Sequence, residues 1–264
     1  MYQQYKYAVF DLDETLGYFT ELGIFWDSLK TVLKKKLTQN HFNELCELFI
    51  EFFRPGIFSI ISFLLKKKQR SNKVKLLIYT NNQAPKEWTY KIKDYIEKRM
   101  NSKIFDQIIC AFKVHGKRVE MCRTTHSKTY NDLIKCTQAP ENSMFIFMDD
   151  QYHDKMKNEF VHYINVKPYS YKIPLIDMIN RFTKSSLGES LVDKEEVDIF
   201  KVKLLREMKS YNFKVKVKDN NELLVDKAVT KRMMLYLQKF FTNPKKYTRK
   251  NRHRNHRVSK KNRN

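Results

Sequence analysis

The segment YAVFDLDETL (residues 7–16) passes from a short apolar run to two aspartates, Asp11 and Asp13. Extended backbone would point both carboxylates to one face, and a turn would also let them converge. Close carboxylates repel, more strongly as water is excluded, so a cation between them relieves the repulsion. Mg²⁺ suits such a site, where one carboxylate could act as nucleophile and the other as general acid/base. The alternative interpretation is a solvated loop in which the aspartates only form a turn.

Apolar runs alternate with helical patterns further along the chain. Runs that predict buried strands cover residues 7–10, 74–79, 108–112, 144–148 and 161–166. Helical spacing follows over residues 88–96, 128–135 and 174–182. We therefore predict an α/β fold with a parallel five-stranded sheet covered on both faces. Active sites of such sheets lie at the carboxyl ends of the strands.

A helical insert is predicted after strand 1. Phe42, Leu45 and Phe49 recur at helical spacing within residues 18–53, which predicts packing against a core. We assign the insert and the sheet to one catalytic domain, residues 1–184.

The remaining residues predict two further segments. Helical patterns over 189–210 and 222–241, with a period-two run at 213–218, predict a small, mostly helical appendage over 185–243. Residues 244–264 carry ten Lys or Arg and no acidic residue. We expect this basic tail to be disordered, because it cannot bury apolar surface.

Polar residues follow two other predicted strands. Thr80 and Asn81 follow the second, where a hydroxyl and an amide can hold a phosphate oxygen. Asp149 and Asp150 follow the fourth, where a second carboxylate pair can complete a metal shell.

A lysine could neutralise phosphate and nucleophile charge at such a site. Lys128 opens a predicted helix before the fourth strand, whereas Lys113 and Lys117 compete for the same role. We favour Lys128 because of its place at a helix start. Arg123 and His126 could line a basic rim near it, although a solvated loop is the favoured interpretation for both.

Other candidate residues have ordinary packing roles as alternatives. His153 follows the second aspartate pair and could touch substrate, but a cap or packed side chain is the commoner role. Tyr163, Tyr169 and Tyr171 could stack on bases, but aromatics near strand ends more often pack.

The motifs, in this order, resemble those of the haloacid dehalogenase (HAD) superfamily in its phosphatase form. Asp11-Leu12-Asp13-Glu14-Thr15 is similar to the first motif, Thr80 to the second, Lys128 to the third and Asp149-Asp150 to the fourth. The resemblance extends over residues 5–182. It implies a HAD-like Rossmannoid three-layer fold.

Within that superfamily, Arg54-Pro55-Gly56-Ile57 before a helix and Thr80 resembles the RNA polymerase II C-terminal-domain phosphatases, also called the NLI-interacting-factor family. The chain also resembles predicted phosphatases of large DNA viruses. It departs from the C-terminal-domain phosphatases in the helical insert, in Asn81-Asn82 where small residues are usual, and in Asp150 where Asn is frequent. These departures bear on a phosphopeptide substrate and leave phosphate monoester hydrolysis as the expectation.

The resemblance implies a catalytic role for three residues. Asp11 would become an aspartyl phosphate and would also bind Mg²⁺. Asp13 would protonate the leaving group and then activate water, while its backbone carbonyl binds the metal. Lys128 would bridge the nucleophile and the phosphate.

The resemblance also implies binding roles. Thr15 would stabilise the loop that carries the first motif, and Thr80 would bind phosphate. With Asn81, which follows Thr80 in the chain, these two residues make up the predicted substrate-binding set. Asp149 would bind the metal, and Asp150 would bind it directly or through a water.

The composition excludes several classes of protein. The 264 residues are 42% hydrophobic and include 5 Gly, 6 Pro and 4 Cys, which excludes global disorder and collagen-like repeats. No apolar run is long enough for a membrane span, and the N-terminus lacks a signal-peptide core, so we expect an intracellular protein, cytoplasmic or nuclear. The four cysteines have neither zinc nor disulfide spacing, so we expect free thiols.

The net charge of +23 predicts a polyanionic partner. Removing the ten charges of the basic tail leaves +13 on the body. The leading hypothesis is a Mg²⁺-dependent phosphatase acting on phosphoprotein. A phosphatase acting on nucleic-acid ends or nucleotides, and a non-catalytic scaffold that binds nucleic acid, are the alternatives. The sequence does not indicate an oligomeric state.

Overall fold

A computed structural model describes residues 4–212 and 218–242. The strands are β1 (Lys6–Phe10), β2 (Val74–Tyr79), β3 (Gln107–Ile109), β4 (Lys113–Val114), β5 (Lys117–Arg118), β6 (Met144–Asp149) and β7 (Val161–Asn165). The helices are α1 (Thr20–Leu33), α2 (Gln39–Leu48), α3 (Ile57–Arg70), α4 (Lys86–Arg99), α5 (Tyr130–Thr137), α6 (Leu175–Thr183), α7 (Ser186–Leu191), α8 (Val197–Lys209) and α9 (Asn220–Thr242). Short 3-10 turns cover Ile50–Phe52, Asp154–Met156 and Lys194–Glu196.

Five of the strands form one parallel sheet in the order β3-β2-β1-β6-β7. Strand β1 is central, with Phe10 paired to Ile78 of β2 and to Met148 of β6. This register brings the carboxyl ends of the three strands to one edge. The prediction of an α/β fold with a parallel five-stranded sheet is confirmed, and the arrangement is compatible with a Rossmann-like fold.

Both faces of the sheet are buried, and each face contributes to its own apolar cluster. Ala8 and Phe10 of β1 lie in the larger cluster, whereas Tyr7 and Val9 lie in the smaller one with Leu133 of α5. This alternation follows from the period of two along a strand. Near-continuous apolar runs were therefore the correct signal for a sheet covered on both sides.

A two-residue hairpin after β3 was not predicted. β4 and β5 pair antiparallel around His115 and Gly116, which both have positive φ angles of 48° and 77°. Positive φ at both central positions is typical of the type I′ hairpin turn, and glycine meets it without a steric penalty. The predicted strand over 108–112 accordingly ends earlier, at Ile109.

The helix predicted over 189–210 is divided into α7, a 3-10 turn and α8. Val192 and Asp193 have extended backbone, with ψ angles of 126° and 140°. A β-branched residue followed by aspartate is a weak site for helix continuation, because aspartate competes for backbone hydrogen bonds. The helix predicted over 222–241 is observed as α9.

Helices α8 and α9 bury side chains in the larger cluster. Leu204 of α8 and Leu237 of α9 are both fully buried there beside residues of the sheet. Lys6 of β1 also donates from Nζ to the carbonyl of Phe240 at 2.8 Å. The division at residue 184 stays a prediction. The predicted strand at 213–218 lies mostly, and the basic tail wholly, outside the described residues.

The expectation of four free thiols is wrong for Cys122 and Cys136. These two residues form a disulfide with their Cα atoms 5.0 Å apart, whereas Cys46 and Cys110 are free and buried. The pair could not be found from spacing, since the chain turns back from the loop at Cys122 to the end of α5. Disulfides persist mainly in oxidising compartments, so the intracellular location stays a prediction.

Reducing this disulfide should destabilise the fold. The bond closes a loop of 14 residues, and loops of that size contribute about 3 kcal/mol through the unfolded chain. Urea unfolding with and without dithiothreitol measures the difference. The double variant Cys122→Ser/Cys136→Ser is the control, because its unfolding should not respond to the reductant. Equal stability of the wild type under both conditions would contradict the expectation.

Glu21 of α1 is a buried carboxyl group with incomplete hydrogen bonding. Its Oε2 accepts from the amide of Ile173 at 3.3 Å, and among the described residues Oε1 has no partner. Burial raises the pKa of Glu21 to about 7 from 4.5, although the Ile173 amide acts in the opposite direction. The folded protein therefore retains a proton here that the unfolded chain releases.

Stability should fall as this carboxyl group ionises. Between pH 4.5 and pH 7 the folded state binds the extra proton, so the free energy of unfolding decreases as the pH rises. Glu21→Gln removes that loss and should raise stability at pH 8 by about 3 kcal/mol, with little change near pH 4.5. Urea unfolding at both pH values tests this. The exposed Glu44 of α2 offers Glu44→Gln as the control, and equal pH slopes for wild type and Glu21→Gln would refute the account.

Within residues 4–212 and 218–242, no helix has both the length and the apolar character needed to cross a membrane.

Candidate active site

The sheet brings three of the predicted site residues to neighbouring strand ends. Asp11 directly follows β1, Thr80 directly follows β2, and Asp149 is the last residue of β6. The hydrogen bonding between β1 and β6 extends one residue beyond the end of β1, where the amide of Asp11 donates to the carbonyl of Met148 at 2.9 Å. Asp11, Thr80 and Asp149 are all at least nine-tenths buried.

Lys128 lies between the two buried aspartates. Its Nζ donates to Oδ1 of Asp11 and, at 2.7 Å, to Oδ2 of Asp149, and the side chain is buried. Thr129, the next residue, caps α5 by accepting from the amide of Asp132 at 3.0 Å. The helix begins at Tyr130, two residues later than predicted, so Lys128 lies in the loop just before α5 and not in its first turn. Lys113 and Lys117, the competing candidates, lie in the β4–β5 hairpin.

The charges of this cluster are strongly coupled. Burial, reinforced by Asp149 and opposed by Lys128, raises the pKa of Asp11 to about 8. Burial alone would raise the pKa of Asp149 as well, but His153 and Lys128 lower it below its usual range. Burial would lower the pKa of Lys128, yet the two carboxylates outweigh it and raise that pKa. One lysine thus neutralises only part of the negative charge, and the cluster is chemically suited to a further cation.

Carboxylate oxygens of Asp11, Asp149 and Asp150 lie within 4.8 Å of one another and could hold a metal ion. Two hydrogen bonds to Thr15 hold Asp150: the hydroxyl donates to Oδ1 at 3.2 Å and accepts from the Asp150 amide at 3.1 Å. All the donors are hard oxygens, which suit Mg²⁺. The carboxylate of Asp13 is not part of this cluster among the described residues, and the predicted role of its carbonyl stays a prediction.

Asn82, a residue without a predicted role, holds the Asp13 side chain. Nδ2 of Asn82 donates to Oδ2 of Asp13 at 2.6 Å, and the amide of Asn82 donates to the hydroxyl of Thr80 at 3.0 Å. Burial raises the pKa of Asp13, although the bond from Asn82 acts in the opposite direction. Asn81, between Thr80 and Asn82 in the chain, is half-buried. The polar residues after β2 indicated that this segment could contribute to a site. They did not indicate that Asn82 would bind Asp13.

Arg54 supports the loop after β1 that carries Asp11, Asp13 and Thr15. Its Nε donates to the backbone carbonyl of Thr15 at 2.6 Å, and its Nη2 donates to the backbone carbonyls of Glu14 at 2.6 Å and Lys167 at 2.8 Å. Glu14 has a positive φ of 58°, an unfavourable conformation for glutamate. The guanidinium group therefore helps to hold a turn that the backbone alone disfavours.

Arg123 is completely buried, so its interpretation as a solvated loop residue is wrong. The polar sequence around Arg123 does not indicate that it is buried. The guanidinium group donates to the backbone carbonyls of Thr80, Cys110 and His126, which the fold brings together. His126 is exposed, with its ring edge against Phe112 at 5.4 Å between centroids.

The remaining aromatic and imidazole candidates make packing contacts. Tyr169 donates its hydroxyl to the carbonyl of Glu51 at 2.6 Å, and Tyr171 packs edge-on to Phe52 with centroids 6.4 Å apart. His153 lies with Nε2 at 3.4 Å from Oδ2 of Asp149. Tyr163 stacks on Phe147 with centroids 5.3 Å apart and donates to the carbonyl of Gln151 at 2.6 Å. These contacts agree with the packing interpretation.

In comparisons with known proteins, no family model, curated protein or solved structure matches this chain. The HAD resemblance is therefore carried by the motifs alone.

Proposed function

We propose that this protein is a HAD-like, Mg²⁺-dependent phosphatase that hydrolyses phosphate monoesters through an aspartyl phosphate on Asp11. The observation that carries the proposal is the contact of Lys128 with both Asp11 and Asp149, beside Asp150, at the carboxyl edge of a parallel sheet. If the cluster served only to stabilise the fold, one carboxylate paired with one lysine would be enough. This cluster has three carboxylates for one lysine, which favours metal-assisted chemistry on an anion.

In the first step, a carboxylate oxygen of Asp11 attacks the phosphorus, and the bond from phosphorus to the leaving oxygen breaks. Asp13 donates its proton to that leaving oxygen, a task that its raised pKa favours. Lys128 stabilises the negative charge on the transferred phosphoryl group. Thr80, directly after β2, would donate its hydroxyl to a phosphoryl oxygen.

In the second step, Asp13 is a carboxylate and accepts a proton from water as the water attacks phosphorus. The bond from Asp11 to phosphorus breaks, which releases inorganic phosphate and restores both aspartates. A bound Mg²⁺, held by Asp11, Asp149 and Asp150, would supply positive charge that neutralises the phosphoryl oxygens. Asn82 keeps the Asp13 carboxyl group oriented through both steps.

Hydrolysis of an aryl phosphate by the wild-type chain tests the proposal. We expect phosphate release that requires Mg²⁺, stops with EDTA and resumes when Mg²⁺ is restored. Folding is checked in parallel by thermal melting. A folded protein that releases no phosphate from aryl phosphate, phosphopeptide or phosphorylated oligonucleotide would refute it and favour the non-catalytic scaffold.

A phosphorylated protein is the leading substrate, and a nucleic-acid end is the second candidate. The net charge of +23, with ten basic residues in the tail at 244–264, favours a polyanion in either case. Comparing turnover of a phosphopeptide with that of a 5′- or 3′-phosphorylated oligonucleotide distinguishes the two.

Deleting residues 244–264 should separate polyanion binding from chemistry. Aryl phosphate turnover should remain unchanged, whereas oligonucleotide affinity should fall and lose much of its salt dependence. Each phosphate contact contributes a slope of about −0.7 to −0.9 in log K against log salt. Fluorescence anisotropy at several salt concentrations measures this. Loss of aryl phosphate turnover would show instead that the tail belongs to the folded site.

A further inference from the structure

Arg123 joins three separate segments of backbone. Its Nη1 donates to the carbonyls of Thr80 at 3.2 Å and Cys110 at 2.9 Å, and its Nη2 donates to the carbonyl of His126 at 2.9 Å. The guanidinium carbon lies 4.8 Å from the ring centroid of Tyr79. The side chain is completely buried, so water does not compete for these bonds.

Two of the three acceptors belong to segments that carry candidate site residues, and the third, Cys110, follows β3, the strand beside β2. Thr80, the proposed phosphate-binding residue, follows β2. His126 lies two residues before Lys128, which contacts Asp11. One guanidinium group therefore sets the distance between the end of β2 and the loop that delivers the lysine.

The loop from 123 to 128 has further attachments on both sides of Arg123. The amide and hydroxyl of Thr124 donate to the buried carboxylate of Asp132 in α5, the hydroxyl at 2.8 Å. Arg118 donates from Nη2 to the carbonyl of Arg123 at 2.8 Å. The loop is thus anchored to α5 and to the hairpin. Lys128 connects it to the ends of β1 and β6 through Asp11 and Asp149. Arg123 connects it to the end of β2 through the Thr80 carbonyl.

We propose that Arg123 is a positioning residue that fixes Lys128 relative to Thr80 for phosphoryl transfer. The inference rests on the proposed phosphatase function. Arginine is required because its planar fork presents donors to several carbonyls at once, whereas an ammonium group on a flexible stem cannot reproduce that geometry. Loss of the fork leaves the charge of Lys128 in the site but not at its working distance.

The variant Arg123→Lys tests this, with Arg181→Lys as the matched control. Arg181 of α6 also donates to a carbonyl, that of Leu48 at 3.2 Å, and lies over the Phe49 ring; it pairs with Glu51 at 2.7 Å and contacts none of the candidate site residues in these bonds. Arg123→Lys should lower kcat for aryl phosphate about 10- to 100-fold, since a displacement near 1 Å has that effect. KM should change much less, and Arg181→Lys should retain wild-type kcat.

Two further readouts separate positioning from lost stability. Added guanidinium ion should restore part of the activity of Arg123→Ala, whereas sodium chloride at the same ionic strength should not. Amide hydrogen exchange in residues 80–82 and 124–130 should accelerate in Arg123→Lys and stay unchanged in Arg181→Lys. If Arg123→Ala does not fold, the lysine variant still decides the question.

The outcomes distinguish this inference from the function it rests on. In a wild type that hydrolyses aryl phosphate, wild-type kcat in folded Arg123→Lys overturns the positioning role. A wild type without any phosphatase activity refutes the function instead, and exchange then decides. Faster exchange confined to 80–82 and 124–130 supports Arg123 as the link between these segments, and unchanged exchange overturns it.

Discussion

Replacing Asp11 by asparagine should abolish phosphate monoester hydrolysis. The amide cannot form an acyl phosphate, so we expect kcat for aryl phosphate to fall by at least about 1000-fold, the scale seen when a nucleophile is removed. Phosphate release with Mg²⁺ measures the loss. Borohydride or acid trapping of labelled substrate should detect the phosphorylated protein in the wild type and not in the variant.

The stability of Asp11→Asn supplies its control. Burial raises the pKa of Asp11 to about 8, which means that its ionised form is disfavoured in the metal-free fold. The variant should therefore unfold at a temperature no lower than the wild type in EDTA. Full activity in a folded Asp11→Asn protein would exclude the aspartyl phosphate, and a loss of folding would show that the carboxylate is needed for structure.

Replacing Lys128 by methionine should lower the free energy of unfolding more than any other substitution proposed for this protein. The change leaves Asp11 and Asp149 buried and facing each other without their shared cation. Removing one partner from a buried ion pair costs about 3–5 kcal/mol, because the remaining charge is not compensated. Thermal and urea unfolding in EDTA measure this loss.

Magnesium should restore part of the stability of Lys128→Met. A divalent cation between the carboxylates takes over the neutralising role, and binding to the folded state alone raises stability by mass action. The rise in melting temperature with Mg²⁺ should therefore exceed that of the wild type. Lys113→Met, in the β4–β5 hairpin, should respond as the wild type does. Equal melting of Lys128→Met and wild type in EDTA would contradict the coupling, and no response to Mg²⁺ would contradict the metal site.

The sheet and the positions of the aspartates could be predicted because both depend on local pattern. Near-continuous apolar runs mark strands buried on both faces, and residues that follow parallel strands share one edge. The strand-end positions of Asp11 and Asp149 were predicted in this way. The helix predicted to open at Lys128 begins two residues later, at Tyr130. The β4–β5 hairpin carried a usable signal in His115-Gly116, which was not recognised.

Arg123, Asn82 and the Cys122–Cys136 disulfide could not be predicted from local pattern. Each depends on which segments the folded chain brings together: three carbonyls around a guanidinium group, an amide beside Asp13, and a loop against the end of α5. The burial of Arg123 is tolerated only because those carbonyls replace water.

By itself, the sequence determined the parallel α/β sheet, the edge at which its polar residues gather and the carboxylates and lysine available there, since periodicity and strand ends are local properties. Only the tertiary structure decided that Lys128 lies between Asp11 and Asp149. It also decided that the carboxylate of Asp150, and not that of Asp13, joins the acidic cluster. The burial of Arg123 against the carbonyls of Thr80 and His126 is a third such outcome. Those outcomes depend on distances between segments far apart in the chain. Such distances arise from the packing of whole elements, which no local pattern records.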